Sequence, residues 1–319
     1  MPRKPLARAV GFVLLTAALL LAALVVAARA RVGRYTVLQG LTRNYLEPGG
    51  QYQSLRRFRE AGTRGHVDLV FLGASHTYRG FDPRLFADAG YQTMNLGSTN
   101  QTPLNTYYVA ERYLPALSPR VVVLEVSYNT LSTDGLESAR DILVNTSRSW
   151  STTRMAFATE NLGAIGYATA KGLDLLPDVG TVQQKEIPGE MYVPGGYCET
   201  FGQRTSLVTE PAVRFEAKGR QLDYLARISA LAGALGARVL WVTLPMPRDY
   251  ARRVEGRDQL RIVIAAAAAR SHAEYWDYSE CLPLDPLADF KDVLHLNATG
   301  ARTFDHAFLE HLATSSYVR

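Results

Sequence analysis

The chain has 319 residues, of which 47% are hydrophobic and 20% charged, and a net charge of +5. This is ordinary globular composition, with enough chain for one large α/β domain or two small ones. The positive charge is mild and spread out, with no block of like charges, no repeat of roughly 20–50 residues and no low-complexity tract, which argues against a nucleic-acid partner, a solenoid and a disordered chain.

The first element is "AVGFVLLTAALLLAALVVAA", Ala9 to Ala28, without a charge. About 20 apolar residues suffice to cross a bilayer as a helix. Arg3, Lys4 and Arg8 precede it, and Arg29, Arg31 and Arg34 follow. A signal peptide has a shorter apolar core of ~7–15 residues. "AARA" before Arg31 offers a small-residue cleavage site, but the length favours an uncleaved anchor. The balanced flanking charges do not set an orientation. Long domains translocate largely regardless of charge, so the main domain is expected on the exported, periplasmic or extracellular face. The expected division is an anchor over 1–30, a polar connector over 31–65 with the basic helical piece "SLRRFREAG", and a main domain over 66–319.

Within that domain, buried strands alternate with helices. Strands are predicted over Val67–Gly73, Thr93–Leu96, Val121–Val126, Arg238–Leu244 and Glu274–Tyr278. The first, third and fourth are nearly continuous apolar runs, as parallel strands covered on both faces require. Helices are predicted over Pro83–Ala89, Leu104–Leu114, Val213–Leu235, Asp258–Ala269 and Ala298–Ala313. Pro83 and Pro103 sit where a first-turn proline is tolerated, and Gly236 reads as a helix stop. The alternation implies an open parallel sheet with helices on both faces. It lapses over an insertion at about 130–214, helical at first and then a Gly-, Pro- and Tyr-rich stretch, "PDVGTVQQKEIPGEMYVPGGYCETFGQ", that reads as loop. Such an insertion suits a lid; a second packed face or a partner surface suits it equally. Cys198 and Cys281 are the only cysteines. An oxidising compartment would permit their pairing, though nothing in the sequence brings them together.

In an open parallel sheet, sites form at the carboxyl ends of the strands. Three predicted strands end there in small or polar residues: Gly73-Ala74-Ser75, Asn95-Leu96-Gly97 and Glu125 to Asn129. Near the C-terminus Asp292 precedes His295 by three residues, on a loop before the last helix. A serine hydroxyl is a poor nucleophile until a base takes its proton. Histidine is the usual base, and a carboxylate on its other nitrogen sets its tautomer. The developing oxyanion needs fixed donors, which the amides of Ser75 and Gly97 and the side chain of Asn129 could supply. His76 is a rival base, read as lining the rim or packing, and Glu125 as a structural partner of Arg79 or Arg120. No His/Cys/carboxylate cluster suggests a metal and no Gly-rich phosphate loop is present, so no cofactor is expected.

Taken together, the blocks "GASHTYRG", "NLGSTN", "LEVSYN" and "DVLHLNATG" resemble those of the SGNH (GDSL-like) hydrolase superfamily, over roughly Val67–Phe308 without the insertion. The first block has Gly-Ala-Ser-His in place of Gly-Asp-Ser-Leu, and the third lacks Gly-x-Asn-Asp. The resemblance implies a flavodoxin-like three-layer sandwich, with Ser75, His295 and Asp292 as catalytic residues. Combined with an N-terminal anchor, it is similar to the envelope branch that includes alginate acetylation and teichoic-acid D-alanylation proteins. That branch implies a serine esterase or O-acyltransferase acting on acyl esters, acetyl above all, of a cell-envelope glycan, within or beside an envelope modification complex. Trp150, Tyr167, Tyr192 and Tyr197 are candidates for stacking on sugars. The rival reading is a non-catalytic envelope protein that binds glycan or assembles a complex through a degenerate pocket. A third is a cytosol-facing small-molecule-binding domain.

Overall fold

Five apolar runs become one parallel sheet: β1 (Leu69–Leu72), β2 (Thr93–Asn95), β3 (Val121–Glu125), β4 (Arg238–Thr243) and β5 (Glu274–Asp277). Their spatial order in the computed structural model is β5-β4-β3-β1-β2. The structure describes residues 3–176, 179–209 and 211–317; Pro177, Asp178 and Glu210 of the expected insertion lie outside it, as do the side chains of Arg3 and Lys4 in the basic flank. In register, Leu69 lies opposite both Thr93 and Val121, and Val121 opposite Arg238. Successive strand residues point to opposite faces. Val70, Leu72, Val122, Leu124, Val239 and Trp241 therefore enter one core, and Leu69, Phe71, Val121, Val123, Leu240 and Val242 the other. The result is the three-layer open α/β sheet implied by the alternation.

The helices that cover these faces follow from apolar periodicity. α1 (Arg3–Arg29) is long and apolar enough to cross a membrane by length and composition. It stands clear of the rest until Leu24, from where Leu24, Ala27 and Ala28 pack on Leu38 and Ala170. α2 (Ser54–Thr63) lies in the stretch expected to be a connector, yet it buries Leu55, Phe58 and Ala61. The 31–65 segment is therefore partly integral to the packed body, because a helical apolar stripe beside basic residues still buries its stripe. α3 (Ser75–Gly80) follows β1 directly. α4 (Pro103–Leu117), α5 (Gly219–Ala234) and α6 (Arg257–Arg270) cover the first core. α7 (Ala298–Thr314) covers the second, where Phe304 and Phe308 join Phe81 and Phe86, all four fully buried. Each such ring is worth ~1.5–3 kcal/mol when removed from water.

Two predicted stretches fold differently. Val213–Lys218 is not helical. Val213 and Arg214 pair in parallel with Val254 and Glu255, and the burial alternates, with Val213, Phe215 and Ala217 partly covered and Arg214, Glu216 and Lys218 exposed. That is a period of two, which the helical reading overran. The Gly- and Tyr-rich stretch is not all loop either. Glu190–Val193 and Tyr197–Thr200 form an antiparallel hairpin. Its tip needs glycine, since Gly195 and Gly196 have φ of 100° and 91°, where a Cβ is strained. Gly195 O accepts from Asn95 N at 2.8 Å, so the hairpin caps the exposed edge of β2, which would otherwise offer unpaired backbone groups. The earlier part of the insertion carries helices Leu136–Asn145, Trp150–Ala158 and Leu162–Gly172. Both cysteines are free, Cys198 buried and Cys281 exposed.

Candidate active site

The strand order reverses at β1, with β2 on one side and β3 on the other. In sheets of this kind the crevice at such a switch point is the usual site. The chain leaves β1 through Gly73, whose φ is 149°. A Cβ there would collide with Thr77 Oγ1 and the Glu125 carboxylate. Glu125, the last residue of β3, instead accepts the Ala74 N–H at 2.8 Å through Oε2. The turn therefore presents Ser75 as the first residue of α3.

Across the crevice, Ser75 Oγ lies 2.7 Å from His295 Nε2. His295 Nδ1 lies 2.9 Å from both Asp292 oxygens. Asp292 Oδ1 also accepts the backbone N–H groups of Leu294 and His295, at 2.9 Å each. The loop is closed from behind, because Lys291 N donates to His295 O and Asn297 caps α7 through Thr299 and Gly300. Burial drives the His295 pKa down; the Asp292 bond works against that, the facing His76 ring and Arg79 add to it, and the net value is about 4. His295 is therefore neutral near pH 7, with Nδ1–H directed at Asp292 and the Nε2 lone pair at the serine. Burial pushes the Asp292 carboxyl up, but the His295 bond and charge and the two backbone donors outweigh it and hold it well below the usual carboxylate range.

The structure brings Ser75, His295 and Asp292 into one hydrogen-bonded chain; the expected oxyanion donors are less uniform. The Ser75 N–H heads a helix and carries no partner within it. The Gly97 N–H is already bonded to Asn95 Oδ1 at 2.9 Å, which corrects the expectation that it faces the oxyanion. Gly97 serves close packing instead, since a Cβ there would sit 2.7 Å from Ala74 O. Asn129 lines a small cavity together with Glu125, His76 and Leu294; the last two adjoin Ser75 and His295 in the chain, but neither Ser75 nor His295 lines that cavity. One of the two Asn129 Nδ2 hydrogens goes to Asn100 Oδ1 at 2.9 Å, which leaves the other.

Several neighbours were misread or missed in the sequence. Glu125 partners neither Arg79 nor Arg120: Arg79 pairs with Glu190 and Arg120 faces Asp68. His76 sits on α3 with its ring centroid 5.3 Å from that of His295. Asn100 adopts φ of 43° and had no sequence signal. The Asn95 to Gly97 bond is an Asx turn, legible in "NLG" as Asn two residues before Gly. Arg57 is fully buried and donates to Gly196 O, Gly97 O, Tyr52 O and Cys198 Sγ, locking α2, the β2 turn and the hairpin together. Tyr167 and Tyr197 are buried in the cores, so these two do not offer free faces to a sugar, unlike the exposed Trp150; Tyr192 is half-buried and its hydroxyl donates to Glu60 Oε2 at 2.6 Å. Among the described residues, no group of three or more His, Cys, Asp and Glu is placed to hold a metal.

No family model and no curated protein matches the chain. Solved structures similar to it include a GDSL-like lipase from Bacteroides thetaiotaomicron, 15% identical, covering 82% of this chain and 100% of that one with a TM-score of 0.42. A catalytic mutant of an acetylxylan esterase from Geobacillus stearothermophilus is 12% identical over 80% of this chain and 98% of that one, TM-score 0.42. A lipase/acylhydrolase from Enterococcus faecalis is 13% identical over 77% and 94%, TM-score 0.39. At such identities and scores the case for a function has to come from the site itself.

Proposed function

We propose that the protein is an acyl-ester hydrolase or O-acyltransferase working through an acyl-serine intermediate. The observation that carries this reading is the unbroken Ser75–His295–Asp292 chain, with contacts of 2.7 and 2.9 Å. As Ser75 Oγ attacks the ester carbonyl, His295 Nε2 takes its proton. Asp292 holds the imidazole and stabilises the imidazolium, which a buried, neutral base otherwise resists forming. The Ser75 N–H, at the positive end of α3, and the second Nδ2 hydrogen of Asn129 stabilise the oxyanion. Collapse returns the proton from His295 to the departing alcohol. Water or a second hydroxyl then takes the acyl group by the same steps in reverse.

The apolar α1 supports a membrane-anchored protein. With the domain on the exported face, the substrate is an acylated envelope glycan. Cysteine-accessibility labelling of the domain in intact cells tests the sidedness; protection from an impermeant reagent would rule out exported glycan. The chemistry is tested with a fluorophosphonate probe and with p-nitrophenyl acetate. Labelling and turnover that both vanish in Ser75→Ala support the reading, and a wild-type protein that neither labels nor turns over removes it. The Gly97 amide, already bonded to Asn95 Oδ1, favours the rival, a glycan-binding protein with a degenerate pocket, and the same probe separates the two.

A further inference from the structure

The body begins where α1 ends, without a loose linker. Ala30 O, one residue past the helix, accepts the Val37 N–H at 2.9 Å. Between them Arg31–Val32 and Tyr35–Thr36 pair as a tight antiparallel turn. A short helix, Val37–Thr42, follows, its start closed by a Thr36–Gln39 capping box. Its Leu38 packs on Ala27 and Ala28, the last two residues of the apolar run. The short helix therefore lies beside the end of α1 rather than beyond it. With α1 across a bilayer, that end marks the edge of the hydrocarbon core. The residues beside it then lie in the headgroup layer, ~5–8 Å deep on each side.

A cleft of about 520 Å³ opens at this level. Arg34, Arg43, Arg140 and Lys185 contribute cations to its lining, and Glu47 and Glu137 carboxylates. Lys185 and Glu47 pair at 2.6 Å, while Glu137 accepts from Thr99 and Asn100 at 3.2 Å each. Three guanidiniums thus stand against one carboxylate that has no cationic partner among the described residues, and the cleft is net positive. Arg140 uses one donor on Thr42 O at 3.0 Å and Arg34 one on the Tyr35 hydroxyl. The Arg43 guanidinium has no hydrogen-bond or ion-pair partner among the described residues. Tyr35 and Tyr45 meet edge to face in the lining, with ring centroids 4.9 Å apart, and tyrosine concentrates where lipid meets water. No residue of the triad lines this cleft.

Guanidinium forks match phosphate oxygens, two parallel N–H bonds at a time. A soluble anion requires no particular height above the bilayer, whereas a phosphate carried by a lipid is held at this level by its own acyl chains. We infer that the cleft between the end of α1 and the body is a second binding site, which takes the phosphate of an anionic membrane lipid on Arg34, Arg43 and Arg140. This rests on the membrane-anchored reading of α1 and not on the acyl-serine chemistry. A headgroup held there fixes how the body sits on the membrane, since the cleft wall and the end of α1 are one packed unit.

The test uses the full-length protein in a neutral detergent, as wild type, Arg34→Gln, Arg43→Gln and Arg302→Gln. Tm is followed against added dihexanoyl phosphatidylglycerol, dihexanoyl phosphatidylcholine or inorganic phosphate. A ligand that binds only the folded state raises Tm with its concentration, and the ligand-free transition shows that each variant folds. Phosphatidylglycerol should raise Tm at concentrations where the other two do not. Its apparent affinity should fall ~10-fold in Arg34→Gln or Arg43→Gln, the size of one charged hydrogen bond. It should be unchanged in Arg302→Gln, which removes an exposed arginine of α7. Equal shifts by the two lipids would mean that acyl chains alone bind. An equal shift by inorganic phosphate would make the ligand a soluble anion, and an equal loss in Arg302→Gln would reduce the effect to general charge. Each of these overturns the inference. Alkaline carbonate extraction of the membranes tests the anchor separately. Protein released by carbonate overturns the anchor and the lipid site together, whereas retained protein without a preference for phosphatidylglycerol overturns the site alone.

Discussion

The two sides of the crevice are built in opposite ways. On the histidine side, one carboxylate, Asp292, meets the imidazole and two backbone N–H groups within four consecutive residues. On the side proposed to hold the oxyanion, Asn129 after β3 is held by Asn100 after β2, and the Gly97 amide is turned back to Asn95. A locally closed loop keeps its geometry with little help. A corner assembled from distant segments depends on each of them, and damage there should be graded where damage to the triad is all-or-none.

The sharpest contrast comes from the triad itself. Ser75→Ala and His295→Ala should each lower kcat on p-nitrophenyl acetate by roughly 10⁴-fold or more, and the double variant should be no worse, because members of a triad act as a unit. Asp292→Asn should cost up to roughly 10⁴-fold, through the wrong tautomer rather than a missing base. Stability of Ser75→Ala should change little, since only one half-buried hydroxyl at the start of α3 is removed. A multiplicative loss in the double variant would show that the two residues do not work together.

Asn129→Ala should cost ~10²–10³-fold in kcat if its free Nδ2 hydrogen meets the oxyanion. With KM little changed, the loss would lie in the transition state. Normal turnover by Asn129→Ala beside a dead Ser75→Ala would move the donor to backbone alone, and the oxyanion side would then be as local as the histidine side.

The histidine side also predicts a pH signature. With a pKa near 4, His295 stays neutral as the pH falls well below 6.5, so the acid limb of kcat/KM should be centred near 4. The linkage has a definite sign. The unfolded chain binds a proton on this histidine below about 6.5 and the folded one does not until about 4, so stability declines as pH falls through that interval. The depression corresponds to on the order of 3 kcal/mol at most. Urea titrations of wild type and His295→Ala at pH 7 and pH 4.5 isolate it: the variant should lose less between the two. An acid limb near the ordinary histidine value would mean that the imidazole is less buried than its geometry indicates.

The same division explains what could be read from the sequence. Asp292 and His295 are three residues apart and precede a capped helix, and Ser75 ends an apolar run, so each piece carries its own local pattern. The five sheet strands are legible for the same reason. The Asn100–Asn129 contact bridges 29 residues, and the Glu125–Ala74 contact bridges 51; neither leaves a periodic trace. Glu125 at the end of an otherwise apolar strand was visible as an anomaly, but its partner was not. The hairpin at Glu190–Thr200 was hidden by its glycines, which signal a loop as readily as a tight turn. Val213–Lys218 was legible and misread, because a two-residue alternation adjoins a long helical stripe.

The smallest effect is the one most specific to the comparison. Asn100 makes no contact with the triad; it holds Asn129 through one hydrogen bond of 2.9 Å and is itself held by Glu137 Oε2 at 3.2 Å. Its φ of 43° is a conformation that asparagine and glycine tolerate better than alanine. Asn100→Gly therefore keeps the backbone and removes the side-chain bonds to Asn129 and Glu137, whereas Asn100→Ala disturbs the backbone as well. One neutral hydrogen bond is worth ~1 kcal/mol, so Asn100→Gly should lower kcat about fivefold. The cost should disappear in an Asn129→Ala background, where there is nothing left to hold. An additive loss in that background, measured as a double-mutant cycle, would place Asn100 in a separate role, and the oxyanion corner would no longer be a relay of two asparagines.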